Sequence, residues 1–166
     1  AEKQIDALGI VEEESDHLKY LIEELMDLSK IEAGKFEVKL IPMDITGIVD
    51  KVKDTMEPSL ETSGITLDDK IPDELPLVLA DSNRIAQVFS NLLRNAIKFT
   101  PLGGRISIYV RITDDKIVFC IGDTGIGIPK EKIDKIFDRF YQIDSSTRRR
   151  YGGCGLGLTI TKNIID

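Results

Sequence analysis

The chain of 166 residues has few of the residues that build metal centres and disulfide frameworks. It contains one histidine and two cysteines, and Cys120 and Cys154 do not show the spacing of metal ligands. We therefore expect a reduced, cytoplasmic domain without a disulfide framework. No apolar run approaches the roughly 20 residues that span a bilayer, and no signal-peptide pattern opens the chain. Any membrane anchor of the intact protein is expected upstream of this segment.

The sequence also lacks an excess of positive charge. Its formal net charge is −7, with 31% charged residues. Nucleic acids and anionic membranes attract positive surfaces, so no nucleic acid is expected as a partner. The hydrophobic content of 42% is typical of a globular protein. The length allows one domain, or one domain with an appendage.

The first 33 residues predict a long amphipathic helix, because apolar residues recur at spacings of three and four. The apolar positions are Ile5, Leu8, Val11, Leu18, Leu21, Ile22, Leu25, Leu28 and Ile31, and the opposite, acidic face carries Glu12, Glu13, Glu14, Asp16, Glu23, Glu24 and Asp27. A helix of roughly 30 residues is about 45 Å long, and a small domain cannot bury its whole stripe. Pairing in a coiled coil or bundle is therefore favoured over folding back on the same chain. Gly34 is placed to cap the end of the helix.

The remainder predicts an α+β fold, in which strands and helices pack as a two-layer sandwich. A short strand at 36–40 is followed by Pro42, and Asp44 is placed to cap a second helix that Pro58 should kink or shorten. Further predicted elements are strands at 65–67 and 77–79, a helix capped by Asp81 and ending at 100–104, a hairpin of 105–113 and 116–122, a short helix near 130–140 and a last helix from Leu158.

One face of the helix after Asp81 carries Asn91, Asn95 and Lys98, spaced four and three apart. An asparagine oxygen is a hard ligand that Mg²⁺ accepts beside phosphate oxygens, and a lysine is a point charge for phosphate. This face therefore suits a phosphate–metal group. A plain solvated helix face explains the same pattern, and on this motif alone it is the favoured interpretation.

Two glycine-rich loops follow. The first, at 123–129, comes directly after an apolar strand, where Asp123 could accept a hydrogen bond from an adenine amino group. An ordinary strand-to-helix turn is the alternative. The second, at 152–157, opens the last helix, and backbone N–H groups at such a helix start bind phosphate well. It lacks the terminal lysine of a Walker A loop and the strand that precedes a dinucleotide fingerprint.

In their order along the chain these motifs resemble the catalytic ATP-binding domain of sensor histidine kinases, within the GHKL group that includes gyrase-type ATPases. NLLRNAIKFTP at 91–101 resembles the N box, DTGIGIP at 123–129 the G1 box, IFDRFY at 136–141 the F box and GCGLGL at 153–158 the G2 box. The resemblance implies the two-layer α/β sandwich of that group, with ATP and Mg²⁺ as cofactors.

It also implies a division of the chain into three parts. Residues 1–35, ending in SKIEAGK, resemble the second helix of a dimerisation and phosphotransfer domain. Residues 36–43 would be a linker, and 44–166 the catalytic domain without the C-terminal strands that the family usually adds. We therefore expect the intact protein to form a homodimer through the N-terminal helix and to act on the receiver domain of a response regulator.

The resemblance assigns roles to the residues that match. Asn95 would ligate Mg²⁺ beside Asn91, Lys98 and Arg139 would contact phosphate, and Asp123 would accept a hydrogen bond from the adenine amino group. Gly125, Gly127 and Ile128 would line the nucleotide, and Gly153, Gly155, Leu156 and Gly157 would bind phosphates. Residues 144–151 would form a lid over ATP. Within the lid, the arginines 148–150 are interpreted equally well as a solvated loop or as phosphate contacts.

One position separates the kinases from the hydrolases of the group. In the gyrase-type ATPases of this group the corresponding pattern is E-x-x-x-N, in which the glutamate activates water. Here Asn91 takes the place of that glutamate, and an amide cannot act as a general base. The expected function is therefore transfer of the γ-phosphoryl group of Mg-ATP to a protein histidine, for relay to a response regulator. The competing hypothesis is a nucleotide-sensing module that binds ATP or ADP and governs docking of a response regulator without transfer. A slow ATPase is disfavoured by Asn91.

The acceptor histidine itself is expected outside this chain. The family's acceptor lies on a preceding helix and is followed by an acidic residue. His17 is followed by Leu18 and lies within the match to the second helix. We interpret it as a residue at the surface or edge of a helix bundle.

Overall fold

The computed structural model describes residues 2–143 and 154–166, and within the first helix it describes the side chains of Gly9, Val11 and Ser15 and those from Leu18 onward. The chain divides into two compact units. One contains residues 1–37, 135–164 and 166, and the other contains residues 38–134 and 165. No helix of the described part is both long and apolar enough to cross a membrane.

The first unit is built on helix α1, Glu2–Glu32, which confirms the predicted long helix. Its end is closed by Gly34, with a φ of 64°, and by hydrogen bonds from the N–H of Lys35 to the carbonyl of Lys30 at 2.8 Å and from the N–H of Gly34 to that of Ile31 at 3.0 Å. This is the Schellman arrangement, in which a left-handed glycine satisfies the last carbonyls. The predicted glycine cap is therefore confirmed.

The two faces of α1 are not divided as the sequence pattern indicates. Leu18, Ile22 and Leu25 of the apolar stripe are 58%, 49% and 49% exposed. Glu24 and Asp27 of the acidic face are buried instead. The pattern predicted an amphipathic helix correctly, but it misassigned these two carboxylates.

The last helix packs on the C-terminal half of α1. Helix α4, Gly157–Ile165, buries Leu156 and Ile160 against Leu28. A 3₁₀ helix, Lys130–Phe137, of which residues 135–137 belong to this unit, takes the place of the short helix predicted near 130–140. The Thr159 hydroxyl donates to the carbonyl of Phe137 at 2.8 Å, which joins the end of the 3₁₀ helix to α4.

The second unit begins with strand β1, Ile41–Met43, and not with the predicted strand at 36–40, which is wrong. Pro42 lies inside β1. The strand pairs antiparallel with β3, Val78–Ala80, and forms with it a sheet of two strands. A proline is tolerated there because an edge strand does not need every N–H for a ladder.

Helix α2, Thr46–Thr62, follows. The N-cap position is Ile45, which makes no side-chain capping bond, so the prediction that Asp44 occupies the cap is wrong by one residue. Asp44 Oδ1 nevertheless accepts a hydrogen bond from the Thr46 N–H at 2.9 Å. Pro58 does not shorten the helix, which continues to Thr62. The helix then ends at Gly64, whose φ is 57°.

The main sheet contains β2, Thr66–Lys70, β4, Arg105–Ile112, and β5, Ile117–Asp123, in the order β2-β4-β5. β2 and β4 are parallel, whereas β4 and β5 form the predicted antiparallel hairpin. Helix α3, Ser82–Phe99, precedes β4. Residues of α2 and α3 pack on the sheet in one core, which includes Val49, Met56, Phe89, Leu93, Ile106 and Ile108. The unit is the expected two-layer α/β sandwich.

Candidate functional site

Asp81 fixes the start of α3, the helix that carries three of the predicted site residues. Its Oδ1 accepts hydrogen bonds from the N–H groups of Asn83 at 3.0 Å and Arg84 at 3.3 Å, as an N-cap residue does. Its other oxygen accepts from the N–H of Lys39 at 3.0 Å. These bonds, led by that from Lys39, hold the pKa of Asp81 below its ordinary value. α3 is thus anchored through a carboxylate that stays ionised.

The predicted polar face of α3 is not a solvated surface. Asn91 is only 2% exposed, and Asn95 and Lys98 are half-buried. The Lys98 Nζ atom lies 5.0 Å from the centroid of the Phe99 ring. A buried amide carries a desolvation cost unless its polar atoms have partners. The burial of Asn91 therefore argues against the interpretation of this face as an unspecialised exterior.

The first glycine loop is hydrogen-bonded to the end of α3. The Ile126 N–H donates to the carbonyl of Phe99 at 3.3 Å, and the Thr124 N–H to that of Arg105 at 3.0 Å. Asp123, at the end of β5, is exposed, and its Oδ1 accepts from the Gly125 N–H at 2.8 Å. The second unit thus brings the Asp123 loop next to the residue that follows Lys98.

Two glycines of this loop are required for different reasons. A Cβ atom at Gly125 would lie 2.5 Å from both the Phe99 carbonyl oxygen and Asp123 Oδ1, so the position has no space for a side chain. Gly127 has open space around it, but its φ of 70° is one that L-residues rarely adopt. Ile128 beside it is exposed. The loop is compact on the helix side and presents apolar surface on the other.

The second glycine loop belongs to the first unit, and Gly153 and the predicted lid lie outside the described residues. Gly155 has a φ of 74°, and a Cβ there would lie 2.8 Å from the Tyr141 carbonyl oxygen. Its own carbonyl accepts from the Phe140 N–H at 3.1 Å. Leu156 is fully buried, and Gly157 begins α4. Leu156 occupies the N-cap position of α4, and its apolar side chain makes no capping hydrogen bond to the backbone of the first turn.

Arg139, predicted to contact phosphate, is an exposed residue that pairs with Glu32 on α1. Both side chains are about half exposed, so water screens the pair and its contribution to stability is small, at about 0–1 kcal/mol. A contact of Arg139 with a phosphate would replace this ion pair. The role of Arg139 stays a prediction.

A polar cluster around the buried Glu24, beside the second loop, was not predicted. Glu24 Oε1 accepts a hydrogen bond from the Tyr20 hydroxyl at 2.7 Å, and Oε2 accepts from the Cys154 thiol at 2.9 Å. Burial, and then the hydrogen bond and negative charge of Glu24, raise the pKa of Cys154 to about 12. The spacing of Tyr20 and Glu24 by four residues was a readable signal, but their pairing with Cys154 was not.

A magnesium site made of protein carboxylates is not found in the described ranges, where no group of three or more His, Cys, Asp or Glu side chains could hold a metal ion. The donors near α3 are amide oxygens and a lysine. Mg²⁺ commonly takes one or two protein ligands and completes its shell with phosphate and water. The donor set therefore fits a metal that arrives with a nucleotide and does not fit a resident metal.

Comparison with known families identifies a match over the half of the chain that carries these motifs. The model of the family described as histidine kinase-, DNA gyrase B- and HSP90-like ATPase matches residues 80–166. The circadian input-output histidine kinase CikA of Synechococcus elongatus is 35% identical over 99% of this chain and 22% of its own length. The signal transduction histidine-protein kinase BarA of Escherichia coli is 37% identical over 98% of this chain and 18% of its own length. The chain thus spans about a fifth of these relatives.

Solved structures with similar folds come from the same class of protein. Full-length ShkA in complex with AMPPNP superposes with a TM-score of 0.79 and 30% identity, over 98% of this chain and 33% of ShkA. The histidine kinase ThkA in complex with the response regulator TrrA gives a TM-score of 0.67 and 26% identity, over 85% of this chain and 42% of that one. Both similarities extend well beyond residues 80–166.

Proposed function

Because this chain belongs to the histidine kinase-, DNA gyrase B- and HSP90-like ATPase family, we propose that it is the ATP-binding catalytic part of a sensor histidine kinase. It transfers the γ-phosphoryl group of ATP to a histidine outside this chain, and the group passes from there to a response regulator. One observation carries the proposal most directly. The loop at 123–126 is bonded to the end of α3, next to Asn95 and Lys98, and Gly125 leaves no space for a side chain at the contact.

The residues of the second unit have the chemistry that adenine and phosphate require. We assign Asp123 to the adenine amino group, because its carboxylate is exposed and a charged acceptor forms a strong hydrogen bond. Gly125, Gly127 and Ile128 line the base, and Lys98 contacts phosphate. Asn95, with Asn91 beside it, supplies the amide oxygen for Mg²⁺. When bound, ATP supplies the phosphoryl group and Mg²⁺ neutralises phosphate charge.

Backbone groups of the first unit receive assignments of their own. Gly155, Leu156 and Gly157 lead into α4, and N–H groups at a helix start favour negative charge. We assign Gly153 to the same role and Arg139 to the γ-phosphate. For Arg139 the assignment implies that the pair with Glu32 opens when the nucleotide binds.

Asn91 supports transfer over hydrolysis. A hydrolase of this group needs a general base to activate water, and the neutral amide of Asn91 cannot accept the proton. Its burial further limits any exchange of protons with solvent. The phosphoryl group is therefore kept for an acceptor histidine, whose ring nitrogen forms the new bond to phosphorus while the bond to the leaving ADP oxygen breaks.

Partners follow from the same assignment. The similar kinase ThkA forms a complex with the response regulator TrrA, and we propose a receiver domain as the partner of the intact protein here. We also propose a homodimer through α1, because Leu18, Ile22 and Leu25 lie exposed along one stripe. The catalytic part is proposed to work in the cytoplasm, where ATP is available, whether or not the parent protein has a membrane anchor.

The test of the function is a transfer assay. This chain is mixed with Mg²⁺, γ-labelled ATP and a separately produced acceptor-histidine helix pair from the same parent protein. We expect labelled phosphohistidine, which disappears in Asn95→Ala and persists in Asn83→Ala, a control on the exposed start of the same helix.

The outcomes separate the hypotheses. ATP binding without transfer, in the intact protein as well, would favour a nucleotide-sensing module that governs the docking of the response regulator. Hydrolysis of ATP to inorganic phosphate, at a rate equal to that of phosphoryl transfer to histidine, would favour an ATPase. A titration calorimetry experiment that detects no ATP binding would remove all three.

A further inference from the structure

Glu24 on α1 is an uncommon residue to find buried, because carboxylates are almost never fully buried unless they are paired. It is 3% exposed. Both of its oxygens have a donor, the Tyr20 hydroxyl at 2.7 Å and the Cys154 thiol at 2.9 Å. Both donors are neutral groups. The burial of Glu24 is therefore compensated by these two hydrogen bonds and not by an ion pair with either donor.

The two donors differ in how far they lie from Glu24 along the chain. Tyr20 is one turn away on the same helix, so its bond is local. Cys154 is 130 positions away and is the residue directly before Gly155. Loss of the Cys154 bond would leave a buried acceptor unsatisfied, which costs more than the bond itself contributes. The Glu24–Cys154 bond thus ties α1 to the second glycine loop at the residue before Gly155.

The other end of this loop is fixed by packing. Leu156 is fully buried with Ile160 and Leu28, and Leu28 lies one turn after Glu24 on α1. Gly155 stands between the two anchors, where the backbone of Phe140 and Tyr141 leaves no space for a side chain. The chain is therefore held on both sides of Gly155 by residues one turn apart on α1.

We propose that Glu24 is a positioning residue for the phosphate-binding loop, and that its carboxylate holds Cys154 so that the backbone at Gly155 is pre-arranged for a triphosphate. The inference rests on the proposed function. When a ligand must order a loop on binding, the free-energy cost of ordering lowers its affinity. A loop that is already fixed avoids this cost. Glu24 contributes to ATP affinity in this way without contacting ATP.

The test is a double-mutant cycle read by titration calorimetry with Mg-ATP and, separately, with adenosine. Glu24→Ala and Cys154→Ala should each weaken ATP binding about fivefold, the equivalent of one hydrogen bond. The double variant should be no weaker than either single variant, because both remove the same contact. Adenosine affinity should not change, since adenosine lacks the phosphates that the loop binds.

Two conservative variants and a matched control test whether the effect comes from this hydrogen bond. Cys154→Ser keeps a donor and should retain most of the ATP affinity. Glu24→Gln keeps the side-chain volume and one acceptor oxygen. It replaces Glu24→Ala in the cycle if Glu24→Ala does not fold. Glu23→Ala, at the exposed neighbouring position, should bind ATP as the unchanged chain does.

Three results would overturn the inference. These are unchanged or tighter ATP binding in Glu24→Ala and Cys154→Ala, additive losses in the double variant, and an equal loss of adenosine affinity. The last would indicate a general loss of structure. If the unchanged chain does not bind ATP, the proposed function fails and this inference with it. If the unchanged chain binds ATP and the variants match it, the inference alone fails.

Discussion

At position 125 the backbone of the first glycine loop passes within contact distance of the last residue of α3. A Cβ atom there would meet the Phe99 carbonyl oxygen and Asp123 Oδ1, each at 2.5 Å. The Phe99 carbonyl also accepts from the Ile126 N–H, so it cannot move away without loss of that bond. A single methyl group therefore disturbs the helix end and the Asp123 carboxylate, which we assign to adenine, together.

We predict that Gly125→Ala lowers the free energy of unfolding by about 1–3 kcal/mol, the usual cost of overpacking, and also weakens ATP binding. Urea unfolding measures the first effect and calorimetry the second. Gly47→Ala is the matched control, because Gly47 lies in α2 with open space around it. It should cost no stability, since alanine is the better helix former. A Gly125→Ala variant as stable as the unchanged chain would contradict the described contact.

Cys154 should be an unreactive thiol. Thiolates and not thiols are alkylated, and a pKa of about 12 in place of 9.0 lowers the thiolate population about a thousandfold at neutral pH. We predict slow labelling of Cys154 by iodoacetamide in the folded chain at pH 8, and faster labelling in Glu24→Ala, where the hydrogen bond and the negative charge are gone. Mass spectrometry of peptides distinguishes Cys154 from Cys120. Equal rates in the two proteins would contradict the assigned contact.

At the scale of elements, α3 depends on its first turn. Asp81 caps two N–H groups of α3 and also binds the N–H of Lys39. We predict that Asp81→Ala lowers the free energy of unfolding by about 1–2 kcal/mol, the typical loss of an N-cap residue, whereas Asp81→Asn retains an acceptor and loses less. Chemical denaturation measures both. No difference between Asp81→Ala and the unchanged chain would show that the cap does not stabilise α3.

The same carboxylate predicts a dependence of stability on pH. The folded-state pKa of Asp81 lies below its ordinary value of 3.8, chiefly because of the Lys39 N–H. Its stabilising effect is therefore fully present above the ordinary pKa and is lost as the pH falls through the lower, folded-state pKa. Denaturation midpoints measured from pH 6 down to pH 2.5 should fall less steeply in Asp81→Asn than in the unchanged chain.

Most elements were predictable because their signals are local. The spacing of apolar residues predicted α1, α2 and α3, Asp81 and Gly34 marked helix ends, and the turn at 114–115 predicted the hairpin. The strand predicted at 36–40 was wrong because alternation over five residues is weak evidence, and pairing with β3 selects 41–43 instead. Pro58 did not end α2, whose apolar face is buried on both sides of it, at Met56 and Leu60.

The candidate site was predictable in its residue types and their order, but its burial was not. Asn91 shares a helical face with Asn95 and Lys98 in sequence, yet the structure buries it far more deeply. Glu24 belongs to an acidic face in sequence, and its burial involves a contact with Cys154, 130 positions away. Both facts depend on residues distant in the chain, which periodicity does not report.

At the scale of the whole molecule, the exposed stripe of α1 predicts self-association. Leu18, Ile22 and Leu25 recur at spacings of four and three, as in a helix that packs against another helix. We predict that sedimentation velocity shows association that increases with concentration, and that Leu18→Glu with Leu25→Glu abolishes it. Glu23→Lys is the control on the same helix. A chain that stays monomeric at high concentration would contradict a homodimer through this stripe.

The mixed sheet of the second unit implies an order in which its strands pair during folding. β4 meets β5 across a tight turn, with Ile112 opposite Ile117, whereas it meets β2 only when Thr66 reaches Arg105, 39 positions further along the chain. Short loops close faster than long ones, and distant pairings fold late. Pulse-labelled hydrogen exchange should therefore protect β5 before β2. If so, the strand that ends at Asp123 is formed early, and α3 is docked only when the long loop closes. A folding chain would then form the strand that carries the carboxylate assigned to adenine before α3 brings in the asparagines assigned to Mg²⁺.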